Sequence, residues 1–179
     1  MKLKILPSTP WSDIAPFLAP VLKYGEEKAR NNMQDDWDEY EHTKGWLEKY
    51  LAQGDGQLDV YYIKENGEVI ASVFILQDSQ QFAAGLKNNG VEISAQRIAQ
   101  LTCFHVMEAH RGRGLGRKWL EEEVFQDLKE QGIQEVYIRS SHHRALRLYD
   151  KLGSRVGTYV GVSDHQLYER LGYIFKIIL

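Results

Sequence analysis

The 179-residue chain has one cysteine, four prolines and no unbroken apolar run approaching the roughly 18 residues that would span a bilayer. Cys103 alone excludes an intrachain disulfide framework and a multi-cysteine metal site, in keeping with a reducing compartment. The opening MKLKILPSTPW has neither the apolar core nor the small-residue cleavage site of a secretory signal. A cytoplasmic location is therefore the default expectation, with no membrane partner. An excess of positive charge is also missing. The formal net charge of −3 argues against a chain built to neutralise a nucleic-acid backbone, so no nucleic-acid partner is expected. What remains is 43% hydrophobic and 26% charged residues, enough for one real core and too few for two, so residues 1–179 read as a single domain.

Periodicity places the elements. MKLKIL alternates and can form a first strand ending at Pro7, and Pro16 and Pro20 break the helical stretch that follows into short pieces through about Asn31. From Trp37 to Leu51 the residues Trp37, Tyr40, Leu47 and Leu51 fall near one helical face, with QGDG ending the element. LDVYYIKENGEVIASVFILQ reads as two strands around Asn66-Gly67, the pair that a tight type I′ turn prefers. QRIAQLTCFHVM is a buried central strand. After it comes a helix with Leu115, Trp119, Leu120, Val124 and Leu128 facing inward and Gly132 as its stop. EVYIRS is a fifth strand, His143 to Leu152 a helix, and the ending two strands around Ser163 to Gln166.

Between the fourth strand and its helix stands HRGRGLGRKW, residues 110–119. A strand, a glycine-rich turn and a helix in that order put free backbone N–H groups and the positive end of a helix dipole at one spot, which is an anion site. Gly112, Gly114 and Gly116 let the backbone approach a ligand closely, and Arg111, Arg113, Arg117 and Lys118 add charge for phosphates. No hydroxyl follows Lys118 to hold magnesium, so a nucleotide-hydrolase P-loop fails. The Gly-x-Gly-x-Gly spacing and late position also miss the dinucleotide fingerprint.

The spacing Arg111-x-x-Gly114-x-Gly116, with Val106 at a strand end five residues earlier, resembles the Arg/Gln-x-x-Gly-x-Gly/Ala signature of the GNAT superfamily of N-acetyltransferases. The resemblance extends to the order of elements over almost the whole chain. It implies an α/β (α+β) fold: a mixed, mostly antiparallel central sheet of about six to seven strands flanked by about four helices. It also implies acetyl-CoA as co-substrate; no metal is expected, because His142 and His143 and the other histidines show no paired spacing with a carboxylate on a helix face. In that family the loop amides cradle the pyrophosphate while the preceding strand pairs with the pantetheine arm. By position, the strand contacts are Phe104, His105 and Val106. The loop contacts are Arg111, Gly112, Arg113, Gly114, Leu115, Gly116 and Arg117. A second element resembles Asn-x-x-Ala-x-x-x-Tyr: here His142 stands in the asparagine position as a cofactor contact, followed by Ala145 and Tyr149. Tyr149 would be the general acid that protonates the departing thiolate. Tyr168, in the echo LYERLG of LYDKLG, is the other candidate.

Amide formation needs a neutral amine, and some family members use a glutamate on the fourth strand to provide it. Eleven residues before Arg111 stands Gln100, which cannot serve, leaving Glu108, His105 or a water chain. Cys103 and His105, two apart on one strand, raise a thiol-imidazole hydrolase pair against the plainer alternative of a buried cysteine. DDWDEYE, residues 35–41, has five carboxylates interleaved with Trp37 and Tyr40, and carboxylates beside aromatic faces suit a cationic amine. A small cationic amine is thus the expected acceptor. A peptide or protein amine, an acetyl-CoA-binding sensor without catalysis, and a homodimer stay open.

Overall fold

A computed structural model describes residues 1–33 and 36–179. Seven strands form one sheet: β1 (Lys2–Ile5), β2 (Gln57–Glu65), β3 (Glu68–Gln77), β4 (Ile98–Val106), β5 (Glu135–Ser140), β6 (Ser154–Val162) and β7 (Glu169–Ile178). Their order is β1-β2-β3-β4-β5-β7-β6, and every neighbouring pair is antiparallel except β4 with β5. The mixed, mostly antiparallel α/β architecture is the one expected. Asn66 and Gly67, at φ of 51° and 86°, close the β2–β3 hairpin as their spacing predicts.

Helical segments cover both faces. On one side lie α1 (Trp11–Ile14), which runs through a 3₁₀ turn at Ala15–Leu18 into α2 (Ala19–Arg30), and α3 (Glu39–Gln53). They bury Ile14, Phe17, Leu18 and Leu47 against Leu58, Val60 and Phe74. The expected start of α3 at Trp37 is corrected to Glu39, because the Asp38 side chain caps the helix by accepting from the Glu41 amide at 3.0 Å. Among elements the sequence pattern did not announce is α4 (Gln80–Asn88), capped by Ser79 and burying Leu86. The opposite face carries α5 (Leu115–Trp119), a π-helical turn at Leu120–Val124, α6 (Phe125–Glu130) and α7 (His143–Leu152). Trp119, Leu120, Val124 and Leu128 are buried there as expected, but Leu115 is only half-buried, since it begins the helix at the rim of the turn.

Two features of β4 position the site. At Cys103 the backbone takes φ of 53°, and the register with β3 shifts between Ser72 and Phe74, so the strand carries a bulge. Its parallel pairing with β5 covers only Ile98–Leu101 against Glu135–Ile138. Beyond that point β4 stays bonded to β3 as far as Val106, and β5 stays bonded to β7 as far as Ser140. Both strands therefore continue without pairing to each other, leaving an opening in the middle of the sheet.

Candidate active site

The glycine-rich turn sits at the mouth of that opening. Its backbone bonds run from Arg111 N to Glu108 O (3.1 Å) and from Lys118 N to Gly114 O (3.0 Å). The amides of residues 112 to 117 between them donate to no backbone acceptor among the described residues. Gly112 and Gly114 have φ of 79° and 77°, which an L side chain rarely adopts, and Gly114 is the N-cap of α5. Gly116 answers a different need: a Cβ there would lie 2.8 Å from Phe104 Cζ, so its absence lets α5 settle onto β4. The result is a concave strip of N–H groups at a helix start, suited to an anion.

The basic side chains of the turn are used differently from the expectation. Arg111 donates from Nε to Val106 O (2.5 Å) and from Nη1 to Glu27 Oε2 (2.6 Å), so its charge ties the turn to β4 and α2. Arg117 makes a two-nitrogen contact with Glu121 at 2.9 to 3.1 Å, and Lys118 lies 3.8 Å from Glu122. Arg113 is exposed.

Behind the turn lies a cleft of about 590 Å³. Of the residues expected from the sequence, Phe104, His105, Val106, Arg111, Gly112, His142 and Tyr149 line it together. Arg113, Gly114, Leu115, Gly116 and Arg117 form the turn and helix start outside this lining. Tyr149, on α7, is 5% exposed and packs against Phe175, with ring centres 5.5 Å apart. Burial first, and then the neighbouring Cys103 and Tyr159, raise its phenol above the ordinary tyrosine value, so the hydroxyl keeps its proton at neutral pH. His142 precedes α7 as N-cap and shares a 2.7 Å hydrogen bond with the Tyr24 hydroxyl of α2, bridging the cleft. The rival tyrosine is elsewhere: Tyr168 is 42% exposed, and its oxygen accepts from the Asp36 amide at 2.5 Å.

None of the expected bases is a ready one. Glu108 stands on the surface, 2.7 Å from Arg30, and does not line the cleft; nor does Gln100. His105 does, but burial, followed by the positive fields of Arg111, His142 and Lys28, pulls its imidazole down to about 4. Its Nδ1 is sealed from solvent without a hydrogen-bond partner. The thiol-imidazole pair gains nothing here: burial pushes the Cys103 thiol up, and its Sγ lies 3.4 Å from Thr102 Oγ1. Because His105 is depressed in the fold, the unfolded chain binds its proton first as the pH falls through the ordinary histidine value. Stability should therefore drop by about 2 kcal/mol between pH 7.5 and pH 5 from this residue. Urea denaturation at both pH values should show that increment missing in His105→Leu.

The acidic run serves mostly the fold. Hydrogen bonds from Ser163 and His165 hold the Asp36 carboxyl near 2, and His165 Nδ1 is 2.5 Å away. Asp38 caps α3, and Glu39 pairs with Lys28 at 2.5 Å. Asp35 lies outside the described residues. Among the described residues of the run only Trp37 and Glu39 line the cleft, and the facing wall includes Arg139, Tyr159 and Arg170, which the sequence pattern did not single out.

The comparisons agree with this geometry. No curated protein matches the chain at significant sequence similarity. Solved structures do match over nearly the full length. An acetyltransferase of the GNAT family from Desulfovibrio desulfuricans superposes with a TM-score of 0.62 at 14% identity, covering 99% of this chain and 98% of that one. A GNAT family acetyltransferase from Elizabethkingia anophelis with acetyl-CoA bound gives 0.56 at 14% identity, over 100% and 97%. A ribosomal-protein-alanine N-acetyltransferase from Brucella melitensis gives 0.55 at 17% identity, over 100% and 99%. At such identities the likeness speaks to the fold. The model of the acetyltransferase (GNAT) family, in turn, matches residues 25–154, a span that takes in the opened strand pair, the glycine turn and α7. The chain belongs to the acetyltransferase (GNAT) family.

Proposed function

We propose that the protein is an N-acetyltransferase that moves the acetyl group of acetyl-CoA directly to a primary amine. The observation that carries this is the row of uncommitted amides from 112 to 117 at the mouth of the β4–β5 opening. Acetyl-CoA supplies an acetyl group activated as a thioester. The amides of Gly112 to Arg117 hold its diphosphate, and the unpaired edge of β4 from Phe104 to Val106 offers backbone groups to the extended arm. Arg111 holds the turn in shape, and His142 borders the channel with Tyr24. Tyr149 keeps a proton at neutral pH and gives it to the leaving sulfur. The one thiol among the described residues lining the cleft, Cys103, is pushed up by burial, which supports direct transfer over a covalent enzyme intermediate.

Calorimetry tests the cofactor half. CoA should bind, and pantetheine, which lacks the diphosphate, should bind at least tenfold more weakly; equal affinities would remove the role given to the turn. A primary-amine panel followed by free-thiol release tests the transfer. A specific observation favours a second reading: among the described residues the one carboxylate lining the cleft, Glu39, is already paired with Lys28, so none of them offers a free carboxylate base. Binding of acetyl-CoA with no thiol release for any amine would favour a sensor.

A further inference from the structure

The cleft has a wall that binding and transfer of the acetyl group leave unused. Arg139 is the first residue of β5 beyond its pairing with β4, and its guanidinium carbon lies 4.4 Å from the centre of the Tyr159 ring. On the neighbouring strand Arg170 stacks 4.6 Å over Trp37. All four line the cleft. Both rings rest on glycines of the β6–β7 hairpin. A Cβ on Gly172 would come within 2.3 Å of Tyr159 Cζ, and one on Gly161 within 3.1 Å of Trp37 Cη2. The bare backbone thus lets each ring lie flat as a platform for its cation. The wall adjoins the transfer site, since Tyr149, Tyr159, Arg139 and Arg170 line the same cleft.

Among the described residues the cleft lining carries Arg111, Arg139, Arg144 and Arg170 together with one carboxylate, Glu39, which Lys28 holds. Glu27, just outside the lining, is shared between Arg111 (2.6 Å) and Arg144 (3.5 Å). Among the described residues Arg139 has no carboxylate partner, and it is exposed to the cleft. A guanidinium stacked on a ring keeps its in-plane N–H edge available, and that edge matches the two oxygens of a carboxylate.

We infer that the acceptor amine also carries a carboxylate and that Arg139 holds it, an inference that rests on the acetyltransferase reading above. The acceptor class is then an amino acid or a comparable amino-carboxylic acid, rather than a purely cationic amine.

The test uses matched pairs: the twenty common α-amino acids against their carboxamides, with agmatine as the cationic comparison, followed by free-thiol release. In parallel, calorimetry on the CoA-loaded protein compares N-acetyl amino acids with their amides, a readout that needs no turnover. The carboxylate partner should be preferred by about 10- to 100-fold. Arg139→Gln should bring that ratio close to one without changing acetyl-CoA affinity, and Arg139→Lys should restore part of it. Carboxamides or agmatine serving as well as carboxylates, or a preference that survives Arg139→Gln, would overturn the inference while leaving the acetyltransferase assignment standing. Absence of thiol release from every amine, together with an Arg139-dependent preference in calorimetry, would count against the enzyme reading and still support the anion site.

Discussion

Tyr149→Phe should lower kcat by about 10²- to 10⁴-fold while acetyl-CoA affinity stays within about twofold. The substitution removes one oxygen and keeps the ring packed on Phe175. Nothing else about the buried side chain changes, so the loss isolates the proton. The leaving thiolate of CoA must be protonated, and a phenol whose pKa is held high by burial is a reservoir that stays filled across the neutral range. Tyr168→Phe supplies the control: that hydroxyl only accepts from the Asp36 amide outside the cleft, so turnover should be unaffected. Steady-state thiol release measures both. If Tyr149→Phe keeps more than a tenth of wild-type kcat, the leaving group finds its proton elsewhere.

The largest effect on stability is expected at Glu27. Its side chain is 6% exposed, and it meets Arg111 at 2.6 Å from the far side of the turn. Removing one member of a buried pair strands the other, which typically costs about 3 to 5 kcal/mol. Because the Arg111 side chain is about a third exposed and also donates to Val106 O, the low end of that range applies, about 3 kcal/mol for Glu27→Ala. The same change releases the anchor of the anion turn, so acetyl-CoA affinity should fall as well, by about tenfold, which equals about 1.4 kcal/mol. Urea denaturation and calorimetry read the two losses separately. Adding Arg111→Met to Glu27→Ala should recover part of the stability and none of the affinity. A Glu27→Ala protein within about 1 kcal/mol of wild type would mean that solvent already compensates Arg111.

Features that depend on neighbours in sequence were legible without coordinates. Asn66-Gly67 specifies its hairpin by backbone conformation alone, and the Arg111-x-x-Gly114-x-Gly116 turn draws its chemistry from its own amides. Tyr149 was singled out by the resemblance of His142-x-x-Ala145-x-x-x-Tyr149 to the family's second element, since its place on the apolar stripe of its helix equally suits a core residue. What escaped depends on partners far along the chain. The contact of Arg111 with Glu27 could not be anticipated, because the two lie 84 positions apart. The internal pairing of the acidic run was equally hidden, because its partners, among them Lys28, Ser163 and His165, belong to other segments. Arg139, Tyr159 and Gly172 each look ordinary, and their meaning appears only when β5, β6 and β7 lie side by side. Helix α4 was missed for a local reason: nine residues with Phe82 and Leu86 as its main apolar pair and Gly85 inside give too weak a period.

The gap between β4 and β5 is bordered by two ladders, since β5 remains paired with β7 and β4 with β3 on either side of the bulge at Cys103. A pore with such fixed jambs does not have to be prised apart. A slender guest that slots in as a surrogate rung should gain main-chain partners at little cost in reorganisation, so the β4 and β5 backbones should superpose closely between the free and CoA-bound protein.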